Sequence, residues 1–191
     1  MSPRGVADKR GAILRAAIDL FGSGQYHGTT IPTLAKQAGV AEGSIYNYFK
    51  NKEDVAFTAL AESSEGLEQD LVNSVPQQAD PLVQLSYAAT LLLQVAEEDL
   101  ARARYVLCVD HEAYLGPRAA EASALPSLIE FMVANAAARG ETKPLSPSVL
   151  VGLWLGVVRA AVQARVGGLL EQPLGGVVEQ VSKAAVDAIK A

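Results

Sequence analysis

Apolar residues recur three and four positions apart along the whole of this chain, and nowhere do they alternate with polar ones long enough to mark a strand. A period of 3.6 buries one stripe of a helix, and that stripe needs another helix to cover it. The pattern predicts an all-α fold of about nine helices. The first covers 8–22, with Ile13, Ala16, Ala17, Leu20 and Phe21 on one stripe, and Gly22, Gly24 and Gly28 break it. Thr30 is placed to cap a short helix ending near Ala38, where Pro32 is tolerated because first-turn N–H groups lack intrahelical partners. Gly39 then stands where a tight turn needs positive φ. Short and long helices follow over 42–49 and from Lys52 towards Val75.

Beyond Pro76 and Pro81 the pattern predicts a helix capped by Asp80 and running through Leu82, Leu85, Ala89, Leu92 and Val95. Another follows the Glu97-Glu98-Asp99 run as far as Tyr114, where Gly116-Pro117 stops it. Helices over 118–138 and 147–166, the second capped by Ser146, and a last one from Pro173 to Ala188 complete the chain. The division expected is a small N-terminal domain over 1–52 and a larger helical domain over 53–191.

Net charge bears on what such a fold could meet. The chain of 191 residues carries −5, which on its face argues against phosphate binding. The charge is uneven, however. Residues 1–50 hold six bases (Arg4, Lys9, Arg10, Arg15, Lys36 and Lys50) against three acids, a net of +3, and the rest holds ten against eighteen, a net of −8. A basic head on an acidic body suggests a specialised N-terminal surface. Half of the residues are hydrophobic, enough for a core without staples. The single cysteine, Cys108, excludes an intrachain disulfide. The first ten residues lack the apolar run of a signal peptide, and the longest apolar run, 149–158, is about half of the ~20 residues a membrane span needs. A cytoplasmic protein with no membrane partner is expected.

The stretch 30–49 has the layout of a helix-turn-helix. Two short helices meet at Ala38-Gly39-Val40; Ala35 permits close approach, and Val40 and Ile45 fill the crossing. The second helix displays Gly43, Ser44, Tyr46, Asn47 and Tyr48, groups suited to base edges and phosphate oxygens in a major groove. Tyr46 and Phe49 could instead serve the core. The spacing Ile13-Leu14-x-Ala16-Ala17-x-x-Leu20-Phe21, then Tyr26-x-x-Thr29-Thr30, then Leu34-Ala35-x-x-Ala38-Gly39-Val40-x-x-Gly43-x-Ile45-Tyr46-x-Tyr48-Phe49-x-x-Lys52-Glu53 resembles the tetracycline-repressor (TetR) family, over about the first quarter of the chain and without a gap.

That resemblance implies a three-helix DNA-binding head, a helical ligand-sensing body, and a homodimer that leaves its operator when a small molecule binds. It further implies that Thr30 and Thr33 touch phosphate, that Gly43 allows close approach to the groove, and that Ser44 and Asn47 contact bases. Tyr46 and Tyr48 would reach backbone or a thymine methyl, and Lys52 would pair with phosphate. Three positions depart from the family pattern. Gln25 replaces a glycine, so the turn must lean on Gly24; Ala41 replaces a capping Ser or Thr, a loss of about 1 kcal/mol; and Glu42 sets an acid where DNA would lie. The salt dependence of binding should therefore be shallow, on the order of a few phosphates per head.

The body is less explicit. Leu100, Arg104, Leu107, His111 and Tyr114 share one face of the predicted helix, which suits a pocket with a few polar groups. Equally, Arg104 could pair with an acid and His111 with a backbone carbonyl. Tyr87, Leu91, Cys108, Phe131, Met132 and Trp154 are further candidates for lining an effector pocket, or plain core. Cys108 and His111 fall short of a metal set and lack the orienting group a nucleophile needs, so no metal, cofactor or enzyme activity is expected. Small residues four apart (Gly152, Gly156, Ala160, Ala164) and the seam Leu174, Val178, Val181, Ala185, Ala188 suit either a four-helix dimer interface through the last two helices or packing within one subunit. Together these features point to a ligand-responsive repressor; the alternatives are a helical small-molecule carrier or enzyme with a vestigial head, and a DNA binder with no effector.

Overall fold

The computed structural model describes residues 3–191, with side chains from Lys9 onward; Met1 and Ser2, at the start of the segment read as lacking a leader, lie outside it. The fold is all-α, as the periodicity predicts. Its helices are α1 (Pro3–Gly22), α2 (Ile31–Ala38), α3 (Glu42–Tyr46), α4 (Lys52–Ser74), α5 (Pro81–Glu98), α6 (Leu100–Cys108), α7 (Glu112–Leu115), α8 (Arg118–Ala122), α9 (Leu125–Ala138), α10 (Pro147–Val166) and α11 (Val178–Ile189), with a 3-10 turn at Leu174–Gly176. Among the described residues the only bridge is an isolated antiparallel one between Thr142 and Lys190.

Eleven helices replace nine because two expected helices are split. The one expected to reach Tyr114 ends at Cys108. There the His111 ring, through Nε2, binds the carbonyl of Tyr105 at 2.8 Å, a side-chain cap on a helix C-terminus, and Asp110 Oδ1 accepts from Ala113 N at 3.3 Å to begin α7. So the shared helical face from Leu100 to Tyr114 does not exist. The helix expected over 118–138 breaks at Ser123 and Ala124. Glu68 Oε1 accepts from the N–H groups of Ala124 and Leu125 at 2.8 and 3.1 Å, and so caps α9 from another helix. Pro126, which tolerates only a first turn, was the signal in the sequence. Gly175 and Gly176 likewise delay the last helix to Val178.

Caps divide in the same way. Thr30 Oγ1 accepts from Thr33 N, and Gly39 adopts φ +67°, both as expected. Asp80 and Ser146 precede their helices but make no side-chain cap bond. The Asp80 carboxylate instead pairs with Arg139 at 3.2 Å, and the Ser146 hydroxyl shares a hydrogen bond with that of Ser148 at 3.2 Å.

The chain forms two compact units. One holds the chain as far as Ser64 together with Tyr105–Ser123; the other holds Glu65–Arg104 and Ala124–Ala191. The first has its own core of Ile13, Ala17, Phe21, Leu34, Ile45, Phe49 and Val55, which Tyr105 and Leu115 join from the later segment. In the second, α10 and α11 pack on each other and on α5, and α9 covers α5 and α10. Its interior holds Leu85, Leu92, Leu93, Ile129, Val133, Leu150, Trp154, Val158 and Ile189. By length and composition α10 could cross a membrane, but it is a packed helix of this unit.

Candidate nucleic-acid interface

Leu34, Ala35 and Ile45 turn the inner faces of α2 and α3 into the first unit's core, which leaves the outer faces polar. Thr30, Thr33, Gly43, Tyr46 and Asn47 are exposed, and Ser44 and Tyr48 half-buried. Phe49 is core, as one reading of it had it, whereas Tyr46 is 57% exposed and is not. A Cβ added to Gly43 would meet nothing within 4 Å, so nothing inside the chain requires glycine there. The turn before α2 does lean on Gly24, at φ +80°. Ala41 leaves α3 without a side-chain cap, and Glu42 is exposed beside it.

Charge on this surface is smaller than the residue count suggests. Arg10 is bound to Glu62, whose hydrogen bond raises the guanidinium pKa. Lys52 Nζ donates to the carbonyls of Tyr26 at 2.7 Å and Thr29 at 2.9 Å and lies 4.3 Å from the Tyr26 ring centroid. Burial lowers its pKa. An ammonium has three N–H donors, so one remains for a phosphate. Lys36 and Lys50 are exposed.

Behind α2 lies a cluster of aromatic side chains that the sequence did not reveal as such. Tyr26 stacks on Tyr114 of α7 with centroids 3.9 Å apart and planes 18° from parallel. His111 binds the Tyr114 hydroxyl through Nδ1 at 2.6 Å and the Tyr105 carbonyl through Nε2 at 2.8 Å. A carbonyl only accepts, so Nε2 carries a proton and donates. Tyr105 is wholly buried and donates its hydroxyl to Ala56 O at 3.0 Å. Burial pushes the Tyr114 hydroxyl up to about 12 and raises that of Tyr105 further; burial and then Glu53 raise that of Tyr26.

Comparison with known proteins bears on both units. The family model for bacterial regulatory proteins of the tetR family matches residues 13–59, which span α2, α3 and their flanks. The transcriptional regulator HbdR of Aromatoleum sp. (strain CIB) is 31% identical over 58% of this chain and 54% of its own length. The fatty acid metabolism regulator protein of Bacillus subtilis is 41% identical over 31% of this chain and 32% of its own. Residues 13–59 are thus a tetR-family segment. The matched stretch spans about half the length of HbdR and about a third of that of the other relative. Solved structures extend the likeness of fold to the whole chain. A TetR family regulator from Marinobacter aquaeolei has a TM-score of 0.77 at 20% identity, covering 99% of both chains. The regulator FadR from Bacillus subtilis, solved in complex with stearoyl-CoA, has 0.72 at 20%, covering 93% of this chain and 98% of its own.

The residues expected to line an effector pocket do not gather. Cys108 and His111 lie in the first unit and Arg104 in the second. Both His111 ring nitrogens are engaged, one of them by the backbone carbonyl foreseen as its alternative role. Tyr87 and Phe131 are exposed, at 51% and 66%, and Leu91 and Arg104 are half-buried. Met132 and Trp154 are buried. Among the described residues Trp154 Nε1 is a buried donor with no acceptor. Glu141 Oε2 is likewise buried without a donor, whereas buried Ser182 shares a hydrogen bond with Thr90 at 3.0 Å.

Proposed function

We propose that this chain is a ligand-responsive, DNA-binding transcriptional regulator that acts as a cytoplasmic homodimer and represses by occupying its operator. The observation that carries this is the polar, solvent-facing surface of α2 and α3 on a tetR-family head. Residues 1–52 serve as the reading head and 53–191 as the effector and dimer domain. Thr30 and Thr33 meet phosphate at one end of the surface; Ser44 and Asn47 read bases, flanked by Tyr46 and Tyr48, while Gly43 leaves room for the groove.

Dimerisation is supported by α10. Gly152, Leu153, Gly156 and Ala160 form an exposed apolar row on it, in a unit whose other α10 face is fully packed. Much of the α11 seam is turned inward, since Leu174 and Ala185 are buried, so α10 supplies most of the proposed face. Two heads held about 34–36 Å apart would meet successive major grooves.

The effector class best supported is an acyl thioester. The second unit's interior is apolar, and the unpaired Trp154 N–H would be satisfied by an acceptor such as a carbonyl. A regulator of the same fold was solved with stearoyl-CoA. A ligand that binds better when the heads are spread shifts the population away from the DNA-bound state.

The test is selection from a random pool of duplex DNA, then titration of the selected site with stearoyl-CoA. A palindromic site that is released on titration is the expected result, accompanied by a change in the emission of Trp154, the chain's one tryptophan. Recovery of no preferred sequence overturns the DNA-binding reading and leaves the carrier or enzyme alternative.

A further inference from the structure

We infer that Tyr114, held by His111, is a positioning residue for DNA binding: it fixes Tyr26 and thereby the Lys52-closed turn that sets the N-terminus of α2. The inference rests on the reading of α2 and α3 as the DNA-binding surface. It assigns a role in that surface to residues about seventy positions away from it in sequence.

The argument follows the contacts in order. Thr30 caps α2 through its hydroxyl, so the placement of Thr30 sets where the first turn of α2 points. The residue before it, Thr29, has its carbonyl bound by Lys52, its hydroxyl bound to Gln25 O at 2.7 Å, and its side chain buried. The same Lys52 ammonium binds the Tyr26 carbonyl and sits near the Tyr26 ring. The turn from Tyr26 to Thr30 is thus closed by one cation, and of its two rings that of Tyr26 is half-buried while that of His27 is exposed.

That ring lies against Tyr114, nearly parallel, at stacking distance. Phe21 meets it edge-on with centroids 5.1 Å apart. Phe21 belongs to α1, within the head, whereas Tyr114 comes from α7, after the Glu65–Arg104 part of the second unit has been traversed in sequence. Tyr114 cannot swing away while its hydroxyl is tied to His111, and His111 is tied to Tyr105, whose own hydroxyl reaches α4 at Ala56. Each link is a defined hydrogen bond or a stack, and all lie inside one compact unit.

The experiment uses the full chain and a DNA site selected by the wild-type protein. Tyr114→Phe keeps the stack; Tyr114→Leu keeps an apolar side chain without the stack, and Tyr114→Ala removes both. Circular dichroism and melting establish that each variant is folded at the assay temperature. Tyr114→Leu and Tyr114→Ala are expected to bind about tenfold more weakly, and Tyr114→Phe to recover most of that loss. Thr30→Ala separates positioning from general destabilisation. If Tyr114 acts through the start of α2, Thr30→Ala costs less affinity in the Tyr114→Leu background than in the wild type. Wild-type affinity in folded Tyr114→Leu, or strictly additive losses, overturns the inference while leaving the DNA-binding function intact. Failure of the wild-type chain to select any site overturns both.

Discussion

Lys52, against Tyr26, and the linked side chains of Tyr26, Tyr114, His111 and Tyr105 define the chemistry of the head more than its charge count does. Tyr26, Tyr105 and Tyr114 all have hydroxyl pKa values above the ordinary 10.0, with burial the first cause in each. The folded chain therefore holds these protons more firmly than the unfolded chain. Their contribution to stability is fully present below pH 10 and is lost as pH rises through about 12 for Tyr114. A near-ultraviolet absorbance titration of the six tyrosines should show a delayed group, and its onset should coincide with loss of the folded state. Ionisation of all six near the ordinary value in the folded chain would contradict the burial of this cluster. The Lys52 ammonium closes the turn before α2 with two of its three donors, which leaves one for the solvent side.

At the scale of elements, α3 is the weakest link of the proposed surface. It has five residues, begins at Ala41 with no side-chain cap, and carries Glu42 in its first turn. The backbone at Ala41 (φ −68°, ψ 143°) already has the extended form a capping side chain needs. Ala41→Ser should stabilise the chain by about 1 kcal/mol, seen as a higher denaturant midpoint with an unchanged slope. An unchanged or lower midpoint would show that the start of α3 is satisfied in another way. Elements elsewhere were reset by side-chain caps. Glu68 on α4 starts α9, and the His111 ring stops α6. Periodicity reads continuous helix through both places, because an apolar period carries no information about a side chain that caps a helix end, whether from 56 residues away, as Glu68 does, or from six, as His111 does.

For the whole molecule, the exposed row on α10 decides whether two heads can be paired. Neither Gly152 nor Gly156 has an atom within 4 Å of an added Cβ, so a larger side chain fits the isolated subunit. Gly156→Leu should leave the subunit folded, even slightly favoured by helix propensity, and should break the dimer and weaken DNA binding. Sedimentation velocity reads the first outcome; a dimer of undiminished affinity would move the interface off this row. The sequence alone determined the helical class, the helix-turn-helix with its Thr30 cap and Gly39 turn, and the polar face of α3, because each depends on neighbours within a few residues. It also carried the family spacing. The tertiary structure decided what no local pattern can hold: that Arg10 and Lys52 are engaged within the head, that Tyr87 and Phe131 face solvent, and that His111 and Tyr114, read as one wall of a pocket, support the Tyr26 turn instead. Those outcomes depend on which distant side chains meet, and a helical period fixes only the face a residue occupies, not the partner across from it.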